Sequence, residues 1–243
     1  MKNYEDKIYE YYNSVSNKIE VFDNSRNLYF QNIINNYLPK DKNISICELG
    51  AGGGQFQSVL KENEYKNSFG IDTSKEQVRL AQKLNIDVRE DNIFNFIENS
   101  IKDNVKYDVI IAIDVFEHFD KESLFDLVGM LYKILNDDGI VITHQPNAQS
   151  PFFGNIRYGD FTHYNAFTAT SISQIFLSNE FNKVKSYEDK PVQHSFKSKI
   201  RYILWEYLVK KIYCFFMLVE TGSCKGKIFS QNFLTIAYKG IKK

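Results

Sequence analysis

The chain of 243 residues balances 30 lysines and arginines against 30 aspartates and glutamates and is 43% hydrophobic. That length suits a single α/β domain able to bury a core without metal or disulfide staples, and the balanced charge removes the bulk field with which nucleic-acid binders hold phosphate backbones. Cys47, Cys214 and Cys224 are an odd number without metal-ligand or redox spacing, and Met1 to Lys7 holds acids and no apolar run; together these point to a reducing cytoplasm and no secretory signal.

Taken in chain order, the first element is a helix over 26–38, with Phe30, Ile33, Ile34, Tyr37 and Leu38 at helical spacing and Pro39 as its stop. The apolar run at Ile44 and Ile46 then leads into Glu48-Leu49-Gly50-Ala51-Gly52-Gly53-Gly54, followed by a helix and a second strand, Ser68 to Asp72. A third strand is expected at Ile86 to Arg89, a fourth from Tyr107, and a fifth at Ile140 to His144. Between the last two, Asp120 is placed to cap a helix carrying Leu124, Leu127, Val128, Leu131 and Leu135, and Gly139 permits the following turn. A helix with Ile172, Ile175 and Phe176, a strand near Val184 to Tyr187 and a last strand from Phe233 to Tyr238 complete the pattern. Strands alternating with helices predict a mostly parallel sheet covered on both faces.

Glycines let a backbone approach a ligand closely, and an acid at the end of the next strand suits the hydroxyls of a ribose. A dinucleotide-binding dehydrogenase needs G-x-G-x-x-G, yet Gln55 stands where the third glycine belongs. Glu48, just ahead of the glycines, repels a diphosphate and suits a cationic ligand. These features disfavour a nicotinamide-dependent oxidoreductase and favour a sulfonium- or ammonium-bearing cofactor.

Glu48, Gly50, Gly52 and Gly54 resemble the first motif of the class I S-adenosylmethionine-dependent methyltransferases, an acid followed by G-x-G-x-G. Asp72, the run Asp91-Asn92-Ile93, the fourth-strand motif Tyr107 to His118 (similar to that of quinone-biosynthesis-type methyltransferases) and the turn Leu135 to Ile142 follow in that family's order. The resemblance implies S-adenosylmethionine as cofactor and a Rossmann-like seven-stranded sheet, mostly parallel, with its last strand antiparallel beside the fifth and a helical insertion before it. It implies a ribose-binding role for Asp72 and an adenine-side role for Asp91, and it adds Ala51, Thr73, Asn92, Ile93, Asp114 and Val115 to the cofactor set. It also places the N-terminal helix over the site, with Tyr11 or Tyr12 upstream either touching the methionine moiety or, the favoured alternative, merely packing. One domain is expected over 1–243, with an N-terminal helical cap (1–40), a cofactor-binding core (41–145), an acceptor loop with helical insertion (146–232) and the last strand (233–243).

In a parallel sheet the ligand crevice lies at the C-terminal strand ends, which brings His118, His144 and the loop after Pro146 towards the reacting centre. That loop resembles the acceptor loops of methyltransferases of bacterial surface-polysaccharide pathways. Arg157 suits a phosphate or carboxylate, Tyr158 and Asp160 are further acceptor-binding candidates, and His163, His118 and His144 are the candidate bases. His163 as a helix cap or bonded to a backbone carbonyl, Asp160 as a turn former, His118 as a structural or cofactor-side residue and His194 as a surface residue are the structural alternatives. No metal is expected, since no His/Asp triad stands at metal spacing in the linear sequence.

The expected acceptor is a small polar molecule, a hydroxyl or phosphate-type group of a capsule or O-antigen precursor. A quinone or other small apolar acceptor, and a non-catalytic cofactor-binding partner subunit, are the alternatives. Residues 196–219 are rich in apolar and aromatic side chains, but Arg201, Glu206, Lys210 and Lys211 interrupt them, and charges there disfavour a membrane span. A cap or homodimer interface, an interfacial membrane helix and a lid over an apolar acceptor are the three readings of that stretch.

Overall fold

A computed structural model describes residues 7–8 and 24–240; Tyr11 and Tyr12 lie outside them. Strands β1 (Ile46–Leu49), β2 (Ser68–Asp72), β3 (Val88–Glu90), β4 (Tyr107–Ile113), β5 (Leu135–Pro146), β6 (Lys183–Glu188) and β7 (Asn232–Tyr238) form one sheet in the order β3-β2-β1-β4-β5-β7-β6. The pairs among β1 to β5 are parallel, and β7 runs antiparallel between β5 and β6. This is the expected seven-stranded architecture. Its strand order reverses between β1 and β4, the place where open α/β sheets form a ligand crevice.

Helix α1 (Asn24–Tyr37) is followed by α2 (Gln55–Glu62), α3 (Lys75–Lys83), α4 (Ile93–Lys102), α5 (Lys121–Ile134), α6 (Phe153–Arg157), α7 (Ala169–Ser178), α8 (Phe196–Leu204) and α9 (Lys210–Thr221). Successive side chains of a strand point to opposite faces, and in β4 Val109 and Ile111 enter one core cluster while Ile110 and Ala112 enter the other. The first cluster is closed by α1 and α2, where Phe30 stacks on Phe56 at 4.5 Å between ring centroids. The second is closed by Ile97 of α4, Leu124, Leu127, Val128 and Leu131 of α5, and Ile172 and Phe176 of α7. Asp108 fastens the N-terminal edge, accepting from the Ser45 backbone N–H and hydroxyl at 2.8 Å each and from Asn136 Nδ2 at 2.7 Å.

Several boundaries depart from expectation. Leu135 leaves its helix and begins β5, because α5 ends at Ile134 and Leu135 turns extended to pair with Tyr107. The third strand starts at Val88 rather than Ile86, whose side chain packs beneath the glycine turn instead. Residues 196–221 form α8, a π-helical turn Trp205–Val209 and α9, with Ser198 buried while Tyr207, Phe215, Phe216 and Val219 stay largely exposed. Salt bridges from Glu188 to Lys210 (2.5 Å) and from Lys190 to Glu206 (2.8 Å) tether this arm to β6 and its outgoing loop. Among the described residues no helix is long and apolar enough to cross a membrane. Cys214 and Cys224 form a disulfide, which corrects the reading that these cysteines lack redox spacing: α9 ends at Gly222 in the left-handed conformation, and the chain doubles back to bring the two Cα atoms to 5.4 Å.

Candidate functional site

The turn between β1 and α2 is a backbone cradle. Gly50, Gly52 and Gly54 have φ of 67°, 53° and 80°, a region that side chains make costly. Space is scarce as well, since a Cβ on Gly50 would stand 2.8 Å from Val115 Cγ2 and one on Gly54 would stand 2.8 Å from Ile86 Cγ2. Ala51 donates its N–H to the Ile71 carbonyl at 2.9 Å, fixing the turn to β2.

Acids ring this cradle. Asp72 Oδ2 accepts from the Gly52 N–H and Oδ1 from the Ser74 N–H, both at 2.8 Å, so the carboxylate is oriented while each oxygen keeps a further lone pair for a ligand. Glu48 is 4% exposed and accepts from Gln57 Nε2 at 2.9 Å. Burial pushes its carboxyl up to about 8, against the opposing pull of Gln57 and Arg26. A cation placed beside it would favour the ionised form. Thr73 is exposed beyond Asp72. Asp91 accepts from the Asn92 N–H at 2.8 Å, and the side chain of Asn92 accepts from the Phe94 and Asn95 N–H groups, capping α4. The Asn92 side chain is therefore engaged by its own helix, while Ile93 packs against the core.

Asp114 closes β4 with φ of 56°, an uncommon conformation for a residue other than glycine and one that turns its side chain out of the strand's alternation. Its Oδ1 meets His144 Nδ1 at 2.5 Å, its Oδ2 lies 3.7 Å from Arg26, and His144 Nε2 lies 3.4 Å from Asp189 Oδ2. Burial alone would lower the imidazole's pKa, but the two carboxylates raise it to about 10. Burial would likewise raise the Asp114 carboxyl, yet His144 and Arg26 hold it below the ordinary range. Both ring nitrogens of His144 are thus engaged by carboxylates that favour the protonated imidazole, an arrangement that weighs against the base role expected of it. Tyr29 closes over its ring edge-on at 5.6 Å.

Three further residues converge just beyond the end of β4. The 3-10 turn Phe116–His118 presents Glu117 and His118 directly after β4, and His163 arrives from the loop after α6. The His118 and His163 rings stand edge to face at 4.8 Å. The loop is lashed in place: the Tyr164 and Asn165 N–H groups donate to the Glu117 carbonyl at 2.7 and 3.2 Å, and Asn165 Nδ2 donates to the Phe119 carbonyl at 2.6 Å. Arg157 donates to the Tyr164 carbonyl at 2.6 Å, Asp160 accepts from the Thr162 N–H and hydroxyl, and Tyr158 is exposed beside the Arg157 guanidinium. Burial, with the adjacent Asp114 charge, pushes the Glu117 carboxyl up to about 8, while burial and the neighbouring His163 lower the pKa of His118.

Linear spacing did not reveal Arg26, Gln57, Thr162 and Asp189 as members of this assembly, because their partners lie in other elements. Nor did it show that Glu117 and the two histidines form one group.

A family model described as a methyltransferase domain matches residues 22–186. The fold is similar to that of a solved SAM-dependent methyltransferase from Archaeoglobus fulgidus, with 19% identity, 88% of this chain and 95% of that one covered, and a TM-score of 0.62. A SAM-dependent methyltransferase from Thermotoga maritima gives 14% identity, coverage of 96% and 95%, and a TM-score of 0.58. A polyamine aminopropyltransferase of Pyrobaculum aerophilum is 28% identical over 117 residues, which are 41% of this chain and 40% of that relative's length.

Proposed function

The chain belongs to the methyltransferase-domain family, and from that membership we propose that it transfers a methyl group from S-adenosylmethionine to a small polar acceptor, a hydroxyl or phosphate-type group of a bacterial surface-polysaccharide precursor. The observation carrying this reading is the cradle of Gly50, Gly52 and Gly54 set between buried Glu48 and the oriented Asp72. It fits the cofactor on its own terms: the backbone conformation leaves room for a ligand, and the acids on either side suit a cation and a diol.

When bound, the sulfonium supplies an electrophilic methyl carbon and leaves as a neutral thioether. The chain's own work is placement, since an in-line displacement gains most from holding nucleophile and carbon in register within a water-poor cleft. Asp72 would hold the ribose, Glu48 would meet the cationic end, and Asp91 would serve the adenine. Asp114, fixed by His144 and Arg26, would separate the cofactor from the acceptor. Activation of a hydroxyl falls to His118 and His163. Their Nδ1 atoms are engaged by Thr162 and by the Ile156 carbonyl, which leaves the Nε2 side of each ring to the acceptor. Arg157, with Tyr158 beside it, holds the loop that carries His163 and borders the entrance.

Mass spectrometry of nucleotide-sugar and phosphorylated precursors incubated with protein and S-adenosylmethionine tests the reading. A gain of one methyl on a polar precursor is expected. Turnover confined to apolar quinone-like acceptors would overturn the acceptor class, and absence of product from every acceptor despite firm cofactor binding would favour a partner-subunit role.

A further inference from the structure

Glu117, His118 and His163 offer one carboxylate oxygen and two ring nitrogens that all lie within 4.8 Å of one another. The protonation of both rings follows from their partners. His163 Nδ1 is 3.0 Å from the Ile156 carbonyl, which only accepts, so that nitrogen carries the proton. His118 Nδ1 is 2.9 Å from the Thr162 hydroxyl, which is itself 2.7 Å from Asp160 Oδ1. The single hydroxyl proton goes to the carboxylate, so the hydroxyl oxygen accepts from His118 Nδ1–H. Each ring is left with a lone pair on Nε2. A ligating histidine that donates its other N–H to a fixed acceptor is the usual second layer of a metal site.

Glu117 gives the independent sign. It is 1% exposed, and its Oε2 has no hydrogen-bond partner among the described residues, a costly state for a buried carboxyl oxygen.

We propose that Glu117, His118 and His163 form a binding site for one divalent first-row transition-metal ion, with zinc as the reference member. Two imidazoles and one carboxylate suit zinc or ferrous iron and are a poor match to magnesium or calcium, which prefer oxygen ligands throughout. Bond lengths of about 2.1 Å place tetrahedral ligand atoms about 3.4 Å apart, so the side chains draw inward by rotamer adjustment on binding. Three protein ligands leave at least one position open. The inference rests on the proposed methyl-transfer reading for what fills that position, and it replaces direct proton abstraction by His118 and His163, whose Nε2 lone pairs the ion takes: an oxygen of the acceptor binds there, and its hydroxyl proton is lost to bulk water near neutral pH under the ion's field.

The test uses full-length protein stripped with a chelator and titrated with cobalt(II), read by its visible d–d absorption, and with zinc by calorimetry. One equivalent per chain is expected. H118A, H163A and E117Q should each weaken zinc binding more than about 100-fold, and T162V about 10- to 100-fold, while H194A leaves it unchanged. Circular dichroism and S-adenosylhomocysteine titration of the same variants show that they are folded. Absence of stoichiometric metal, or undiminished affinity in H163A and E117Q, would overturn the site. If zinc binds as expected while S-adenosylhomocysteine does not, the metal site stands and the methyl-transfer reading falls.

Discussion

At the scale of single residues, the site is a set of carboxylates in unequal settings. Asp72 is held by two backbone N–H groups, so D72A removes both a ligand acceptor and the anchor of Gly52. Cofactor affinity should fall by about 1 to 3 kcal/mol, measured by calorimetry; unchanged affinity would move the ribose elsewhere. Glu48 and Glu117 have carboxyls raised from 4.5 to about 8, and His144 is raised from 6.5 to about 10. In each case the folded state binds more protons than the unfolded state across the interval, so stability declines as pH rises. The carboxyls act between pH 4.5 and 8, and the His144 contribution, complete below 6.5, is lost as pH rises through 10. Asp114, depressed below 3.8, works in the opposite sense and only under more acidic conditions. Chemical denaturation of the ligand-free protein should therefore show a lower unfolding free energy at pH 9 than at pH 6, and E117Q should flatten the acidic part of the slope. The acids at the strand ends were legible in the sequence; the burial that sets their protonation was not, because it depends on Arg26, Gln57 and Asp189 arriving from distant elements.

Among elements, legibility followed periodicity. Asp120 capping α5 and the spacing of Leu124, Leu127, Val128 and Leu131 matched the fold, since both depend on neighbours within one helix. Asn92 shows the opposite case: a motif position resembling a ligand contact serves as the cap of α4, and its place two residues before Phe94 carried that signal. The Cys214–Cys224 bridge depends on the turn after α9, which periodicity does not encode. Packing and exposure now separate elements of similar composition. F56A, which removes a ring stacked on Phe30 inside the core, should cost about 3 to 5 kcal/mol. F215K, at a side chain 61% exposed on α9, should stay within about 0.5 kcal/mol of the parent. A large loss of stability in F215K, followed by thermal melts, would contradict the exposure assigned to this side chain.

For the whole molecule, the strand order β3-β2-β1-β4-β5-β7-β6 concentrates chemistry at one end of the sheet. The reversal between β1 and β4 opens the crevice, the glycine turn lines one wall, and the loop bearing His163 folds back onto the turn bearing Glu117. Alternation of strands and helices foretold the layers, whereas the antiparallel seventh strand came from resemblance to the family. The central claim is that a cationic sulfur-bearing donor occupies this crevice. Titration of the full-length chain with S-adenosylhomocysteine, with NADH as competitor and D72A as control, measures it most directly. Stoichiometric binding that NADH does not displace and D72A weakens is the predicted result; saturable NADH binding with none for S-adenosylhomocysteine would contradict it.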